Sequence, residues 1–473
     1  MKSLVFALAS AALLSACAAQ QEGPKTAASK PARDLPVIDK NPFPSTYKPY
    51  ASQPTLIRGV NIYDGAGGKI IGGEVLLVEG KVAAIGQSVA APEGVTVIDG
   101  AGKWVTPGVI DVHSHLGNYP SPSVEAHQDG NEVTGANTAD VWAEHGVWPQ
   151  DPGFTRALAG GITTLHILPG SANLFGGRGV SLRNVPGRTV QEMKFPGAPY
   201  TLKMACGENP KRVYGSRNQK PGSRMGNIAV DRATWAKAQE YDRKWDEYEG
   251  KVKAGTAALK DVPARDLAMD TLRGVLDGEI LVQNHCYRAD EMALVLDMAK
   301  EFGYKVTAFH HAVEAYKITD LLKANGTCAA MWADWWGFKM ESYDGIRENL
   351  PFVHAAGGCA ITHSDDDLGI QRLNQETAKA LADGNRAGLD IKPEEAWTWI
   401  GINAAKALGL DKEIGSLAPG KRADVVLWNG DPLSVYAKAE KVWIDGALMF
   451  DALSRMRPVS DFELGQPGEG DPK

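Results

Sequence analysis

Between residues 105 and 410, short apolar runs alternate with longer segments of helical character, and no other feature constrains the chain as much. The strand-like runs cover 108–113, 163–168, 201–206, 280–285, 305–310, 327–331 and 359–362. Strands separated by helices pair in parallel and are buried on both faces. A stretch of roughly three hundred residues suits an eight-stranded TIM (β/α)8 barrel with insertions, an α/β fold. Several of the runs end in His, Asp, Glu or Lys, at the barrel face where chemistry sits. The pattern therefore predicts a fold and the end of it to watch.

Shorter alternating runs flank this region, at 56–60, 74–78, 81–86 and 95–99 on one side and 423–428 and 441–446 on the other. They predict one small β-sandwich built from both flanks, 55–104 and 411–455, around a barrel of 105–410, with a tail of 456–473. A net charge of −7 and the lack of a long Lys/Arg run exclude a nucleic-acid binder.

The start of the chain has another texture. Met1-Lys2 precede an apolar stretch of 3–14 that is too short to remain in a bilayer and has the form of a signal-peptide core. Leu14-Ser15-Ala16-Cys17 resembles a bacterial lipobox, which implies a signal segment of 1–17, lipidation at Cys17, export and a membrane anchor. Ala18 in place of Asp points to the periplasmic side of the outer membrane. Residues 18–54, rich in Ala, Gln, Lys, Pro and Ser, are expected to be a flexible tether. Cys206, Cys286, Cys328 and Cys359 lie far apart in apolar runs and are expected to be buried free thiols.

Two insertions stand out. The stretch 232–260 is charged but carries Trp235, Ala238, Tyr241, Trp245 and Tyr248 at helical spacing, which predicts an amphipathic helix packed on the barrel, with a lid as the alternative. Trp332, Trp335 and Trp336 follow a strand and are placed to wall a pocket.

His113 and His115 sit two apart at a strand end, so both imidazoles share one face and offer a chelate for a divalent cation. The run from Thr106 to Leu116 around them resembles the first barrel strand of the amidohydrolase superfamily. The likeness extends over about 55–455. His285-Cys286-Tyr287-Arg288-Ala289-Asp290-Glu291 is similar to a segment of imidazolonepropionase-like members, His311-Ala312-Val313-Glu314-Ala315 to another, and Ser364-Asp365 to the terminal Ser-Asp. It implies one or two bound divalent metal ions, zinc first, held by His113, His115, His285, His311 and Asp365. Adjacent strand residues face opposite ways, so only one of His310 and His311 should reach the metal, and the sequel favours His311. Asp366 and Asp367 are the alternatives to Asp365. For the middle ligand, Glu208 in Gly207-Glu208-Asn209-Pro210-Lys211 is favoured slightly over a carboxylated Lys203. The remaining histidines, His127, His145, His166, His354 and His363, are expected to be structural.

The resemblance further implies that Asp365 takes a proton from an activated water and returns it to a leaving nitrogen as a small molecule's C–N bond is cleaved. Tyr287, Arg288, Trp332, Trp335 and the pair Lys211-Arg212 are candidates for substrate contacts. Deamination is the second reading, with Glu314 as a candidate acid; a non-catalytic scaffold is the third. A homo-oligomer is compatible with the sequence.

Overall fold

Five strands precede the barrel: β1 (Thr55–Tyr63), β2 (Lys69–Val78), β3 (Lys81–Gly86), β4 (Thr96–Asp99) and β5 (Trp104–Pro107). The barrel strands are β6 (Val109–Ser114), β7 (Ile162–Ile167), β8 (Phe175–Arg183), β9 (Thr201–Ala205), β10 (Leu281–His285), β11 (Val306–His310), β12 (Cys328–Met331) and β13 (Cys359–Thr362). Then come β14 (Val425–Trp428), β15 (Ala439–Ile444) and β16 (Ala447–Asp451). This computed structural model describes residues 35–454. Cys17, the segment 1–17, the first part of the tether and the tail 456–473 lie outside the described residues.

β6 to β13 form one eight-stranded sheet in sequence order. Its outer strands approach each other where the Asp365 N–H donates to the His113 carbonyl at 3.0 Å, so the sheet curls into a nearly closed barrel. The strands are parallel except for β8, which runs antiparallel to β7 and β9. The sequence reading misses β8 because glycine weakens the strand signal. Two of those glycines are required by space. A Cβ on Gly177 would lie 2.3 Å from the Val141 carbonyl oxygen, and one on Gly179 would lie 2.5 Å from the Thr201 hydroxyl.

The flanks join in a second eight-stranded sheet, ordered β16-β15-β14-β5-β1-β2-β3 with β4 beside β1. The expected sandwich is thus hydrogen-bonded as a single sheet, and β5 moves the start of the barrel past Pro107. A buried ionic seam ties this sheet to the barrel. Arg183 from β8 donates to both carboxylate oxygens of Asp424, and Asp445 accepts from Tyr47 at 2.6 Å and from Arg422 at 3.0 Å.

Two expectations fail outside the sheets. From Leu35 onward the supposed tether is packed: Leu35 and Ile38 lie on Tyr241, Trp245 and Tyr248, and Ser45 donates to the Lys194 carbonyl at 2.6 Å. The cysteines are disulfide-bonded, Cys206 to Cys286 and Cys328 to Cys359. Sequence distance misleads here, because β9 pairs with β10 and β12 with β13 in a register that sets each pair side by side.

The charged insertion is a 30-residue helix, Arg224–Lys253, capped by the Ser223 side chain accepting from the Gly226 N–H. Trp235 stacks on Tyr304 at 4.2 Å, and the whole aromatic stripe is buried. This helix clads the barrel and is not a lid.

Candidate metal centre

β6 delivers His113 and His115 to the barrel mouth as their spacing requires. The His115 Nε2 lies 3.2 Å from Asp365 Oδ1, the His113 Nε2 lies 3.5 Å from the same atom, and the His311 Nε2 lies 3.6 Å from Asp365 Oδ2. His285, at the end of β10, packs on His311 with ring centroids 4.9 Å apart. Asp365 reaches inward because its backbone is left-handed, at φ 52°. Asp366 instead accepts from the N–H groups of Leu368 and Gly369, and Asp367 is exposed.

His310 and His311 both turn inward. His311 has φ 55°, which breaks strand alternation. Its ring packs 4.5 Å from that of His113 at the mouth, whereas His310 lies a layer deeper with its Nδ1 2.8 Å from the His113 Nδ1. The deeper contact sets a tautomer. Gln283 Nε2 donates to the Ala407 carbonyl at 2.7 Å, so Gln283 Oε1 accepts from His310 Nε2–H at 2.6 Å. The His310 Nδ1 is then the acceptor, His113 Nδ1 carries the hydrogen, and the His113 Nε2 lone pair faces the mouth. The His115 Nδ1 donates to the Leu168 carbonyl at 2.7 Å, with the same effect on its Nε2. Gln283 and His310 orient the His113 ring, a placement that sequence reasoning missed. The paired His310-His311 was a signal, but only the register shows what the first ring does.

His363, expected to be structural, also faces the cluster. Ligand atoms of His113, His311 and His363 lie within 4.8 Å of one another, as do those of His113, His115 and Asp365. His166 is structural, held by Ser181 at 3.0 Å and Thr201 at 2.8 Å. His354 accepts from the Trp399 indole, His145 stacks on Trp142, and half-buried His127 packs on Trp148.

The two candidates for the middle ligand separate. Lys203 projects into the cluster, its Nζ 3.2 Å from the His113 Nε2. Glu208 opens the helix Glu208–Gly215 and turns to Lys339, 3.6 Å away. The cluster therefore receives Lys203 and not Glu208, against the expectation; a mid-strand side chain points into the barrel, whereas one past the strand end follows its helix. Arg288 is likewise displaced, paired with Asp290 at 2.9 Å on the surface. The cation at the mouth is Lys339, whose Nζ lies 4.0 Å from the centre of the Tyr287 ring. Trp332 stacks on His311 at 4.4 Å and on Trp335 at 5.2 Å. Tyr287, Trp332, Trp335, Lys339, His285 and Asp365 line an open cavity of about 560 Å³. Neither Lys211 nor Arg212 lines it.

Electrostatics agree with this grouping. Burial, reinforced by Lys203 and neighbouring rings, holds His113, His285, His310 and His311 well below the ordinary imidazole range. Burial likewise pulls the Lys203 ammonium down to about 7, with Asp365 opposing it. Burial pushes the Asp365 carboxyl up, but the hydrogen bond and charge of His115, with His363 and Lys203, outweigh it and leave the group below its usual range. Both ring nitrogens of His363 and the Nδ1 atoms of His285 and His311 have no hydrogen-bond partner. Buried imidazoles that are neutral and partnerless, gathered around an ionised carboxylate, form a donor set that fits a divalent cation.

The model of the amidohydrolase family matches residues 104–449. The chain belongs to the amidohydrolase family. It is 30% identical over 397 residues to the amidohydrolase tasK of Hapsidospora irregularis, covering 80% of this chain but only 40% of that protein. It is 26% identical to the imidazolonepropionase of Shewanella frigidimarina, over 77% of this chain and 88% of the relative. Among solved structures, an amidohydrolase from Thermotoga maritima matches with a TM-score of 0.76 and 33% identity, over 84% of this chain and all 100% of the other. The matched family region contains the barrel and every residue of the histidine cluster.

Proposed function

We propose that this amidohydrolase cleaves a carbon–nitrogen bond in a small amide that carries a carboxylate, with His113, His115, His285, His311, Asp365 and a carboxylated Lys203 holding one or two divalent ions, zinc first. The observation that carries the reading is the Asp365 carboxylate, set 3.2–3.6 Å from three imidazole Nε2 atoms and open to the mouth cavity. A bound divalent ion supplies a lowered water pKa and a polarised substrate carbonyl. Asp365 stays ionised, takes the proton of the attacking water, and passes it to the departing nitrogen. The Lys339 ammonium faces the substrate carboxylate, and Tyr287 and Trp332 pack on its body. Neutral Lys203 attacks carbon dioxide through Nζ, forming an N–C bond and releasing a proton. Since only the free amine reacts, bicarbonate activation rises as pH rises through about 7. Glu314 caps the helix Ala289–Phe302 by accepting from the Ala289 N–H, which occupies the group that the deamination reading would use as its acid.

The test is a panel of N-acyl amino acids, Xaa-Pro dipeptides and cyclic amides assayed with zinc-loaded protein. The expected result is turnover that falls about 10²–10⁴-fold in Asp365→Asn, and that depends on bicarbonate in wild type but not in Lys203→Ala. Full metal loading without turnover of any member overturns the reaction. Full activity in Lys203→Ala, with Glu208→Gln dead, overturns the carbamate.

Export with a lipid anchor at Cys17 is part of the same proposal, and the two disulfides support it because oxidising compartments preserve them. Release of Cys17→Ser from the membrane fraction is the expected result; unchanged membrane association rejects the anchor.

A further inference from the structure

A second cavity, of about 550 Å³, lies on the outer wall of the barrel and shares no lining residue with the mouth. Its walls are β8, the segment 38–45, residues 140–145 and the helix Leu267–Leu276. The reversal of β8 accounts for it. A strand that runs backward between two parallel neighbours follows its predecessor by a short turn and brings no crossover helix of its own to its outer face.

Arg178 sits at the centre of that face. Gly177 and Gly179 make room on the inner side, so strand alternation sends Arg178 outward. It is 6% exposed, its Nε donates to Thr271 Oγ1 at 2.8 Å, and its guanidinium carbon lies 4.1 Å from the centre of the Trp142 ring and 5.4 Å from that of Tyr200. Among the described residues no carboxylate pairs with it. The neighbouring cations are all matched: Lys194 with Glu144 at 2.9 Å, Arg265 with Asp270 at 2.7 Å, Arg273 with Asp242 at 3.0 Å and Lys40 with Glu279 at 2.6 Å. Burial pulls the Arg178 guanidinium down to about 10, the mark of a cation short of a counter-charge. Buried charges are ordinarily paired, and the remaining face of this one opens on a cavity.

We propose that this cavity binds a small monocarboxylate with a flat apolar body, its carboxylate on the Nη groups of Arg178 and its body among Phe43, Trp142 and Tyr200. A planar guanidinium fork matches a carboxylate through two parallel hydrogen bonds. The fields of Glu144 and Asp270, both felt at Arg178, select a single negative charge over a dianion. The aromatic walls, with Phe43 and Trp142 rings 5.5 Å apart, suit an apolar body.

Isothermal titration with benzoate, against benzamide and inorganic phosphate at constant ionic strength, tests the site. Wild type is expected to bind benzoate about tenfold or more tightly than Arg178→Met does, and than it binds benzamide or phosphate. Phe43 is 41% exposed, so Phe43→Ser keeps the fold and is expected to weaken benzoate several-fold, which holds the test even where Arg178→Met does not fold. Equal affinity in wild type and Phe43→Ser or Arg178→Met, phosphate binding as tight as benzoate, or no binding at millimolar benzoate each overturns the proposal.

Discussion

The seam between the two sheets and the barrel mouth are both buried and both polar, yet they are built on opposite rules. In the seam every charge is matched: Arg183 lies between Asp424 and Asp445, and burial of its guanidinium is outweighed by those carboxylates, so it is pushed further into its charged form. At the mouth, burial wins. Imidazoles and Lys203 are driven toward neutrality, and ring nitrogens of His285, His311 and His363 stay unpartnered. A paired network holds the chain together, whereas an unpaired one is held in place by the rest of the chain and leaves donors open to a cation.

Three substitutions sharpen or break that contrast. The largest effect belongs to the seam. Arg183→Met takes the ionic partner from buried Asp424, while Asp445 keeps Tyr47 and Arg422, and is expected to cost about 3–5 kcal/mol in chemical denaturation; a loss below about 1 kcal/mol would erase the distinction. At the mouth the sign reverses. Burial holds Lys203 near 7 when folded, against 10.5 for a solvated lysine, so the unfolded chain binds more protons between those values. Metal-free wild type should therefore gain stability as pH rises from about 7, and it carries the full penalty below. Lys203→Met should remove this slope and stabilise the metal-free protein near neutral pH by up to about 5 kcal/mol, read from melting curves across pH. Failure of Lys203→Met to stabilise means that the lysine is already matched. The smallest effect lies behind the ligands. Gln283→Leu frees His310 and with it the His113 tautomer, and should weaken zinc about 10–100-fold in chelator competition. Unchanged affinity means that the relay does not set the lone pair.

Strand periodicity made the barrel and the flanking strands legible, spacing within one strand pointed to His113 and His115, and the family resemblance pointed to His285 and Asp365. What stayed hidden depended on neighbours in space. The glycines of β8 hide a strand whose need for them lies in Val141 and Thr201. The inward turn of both His310 and His311 needs a left-handed residue that no side chain announces. Glu208 against Lys203 turned on where a strand ends, and Arg288 against Lys339 on which cation has a closer acid. The family resemblance named the candidate ligands, while the groups that orient them had to be read from contacts.

The Cys206–Cys286 bond encloses an excursion whose ends are 80 positions apart and which contains the whole helix Arg224–Lys253. A protease that cuts once anywhere inside that excursion leaves the two pieces covalently joined. The nicked enzyme keeps both halves of its barrel, and the cut becomes visible only after reduction.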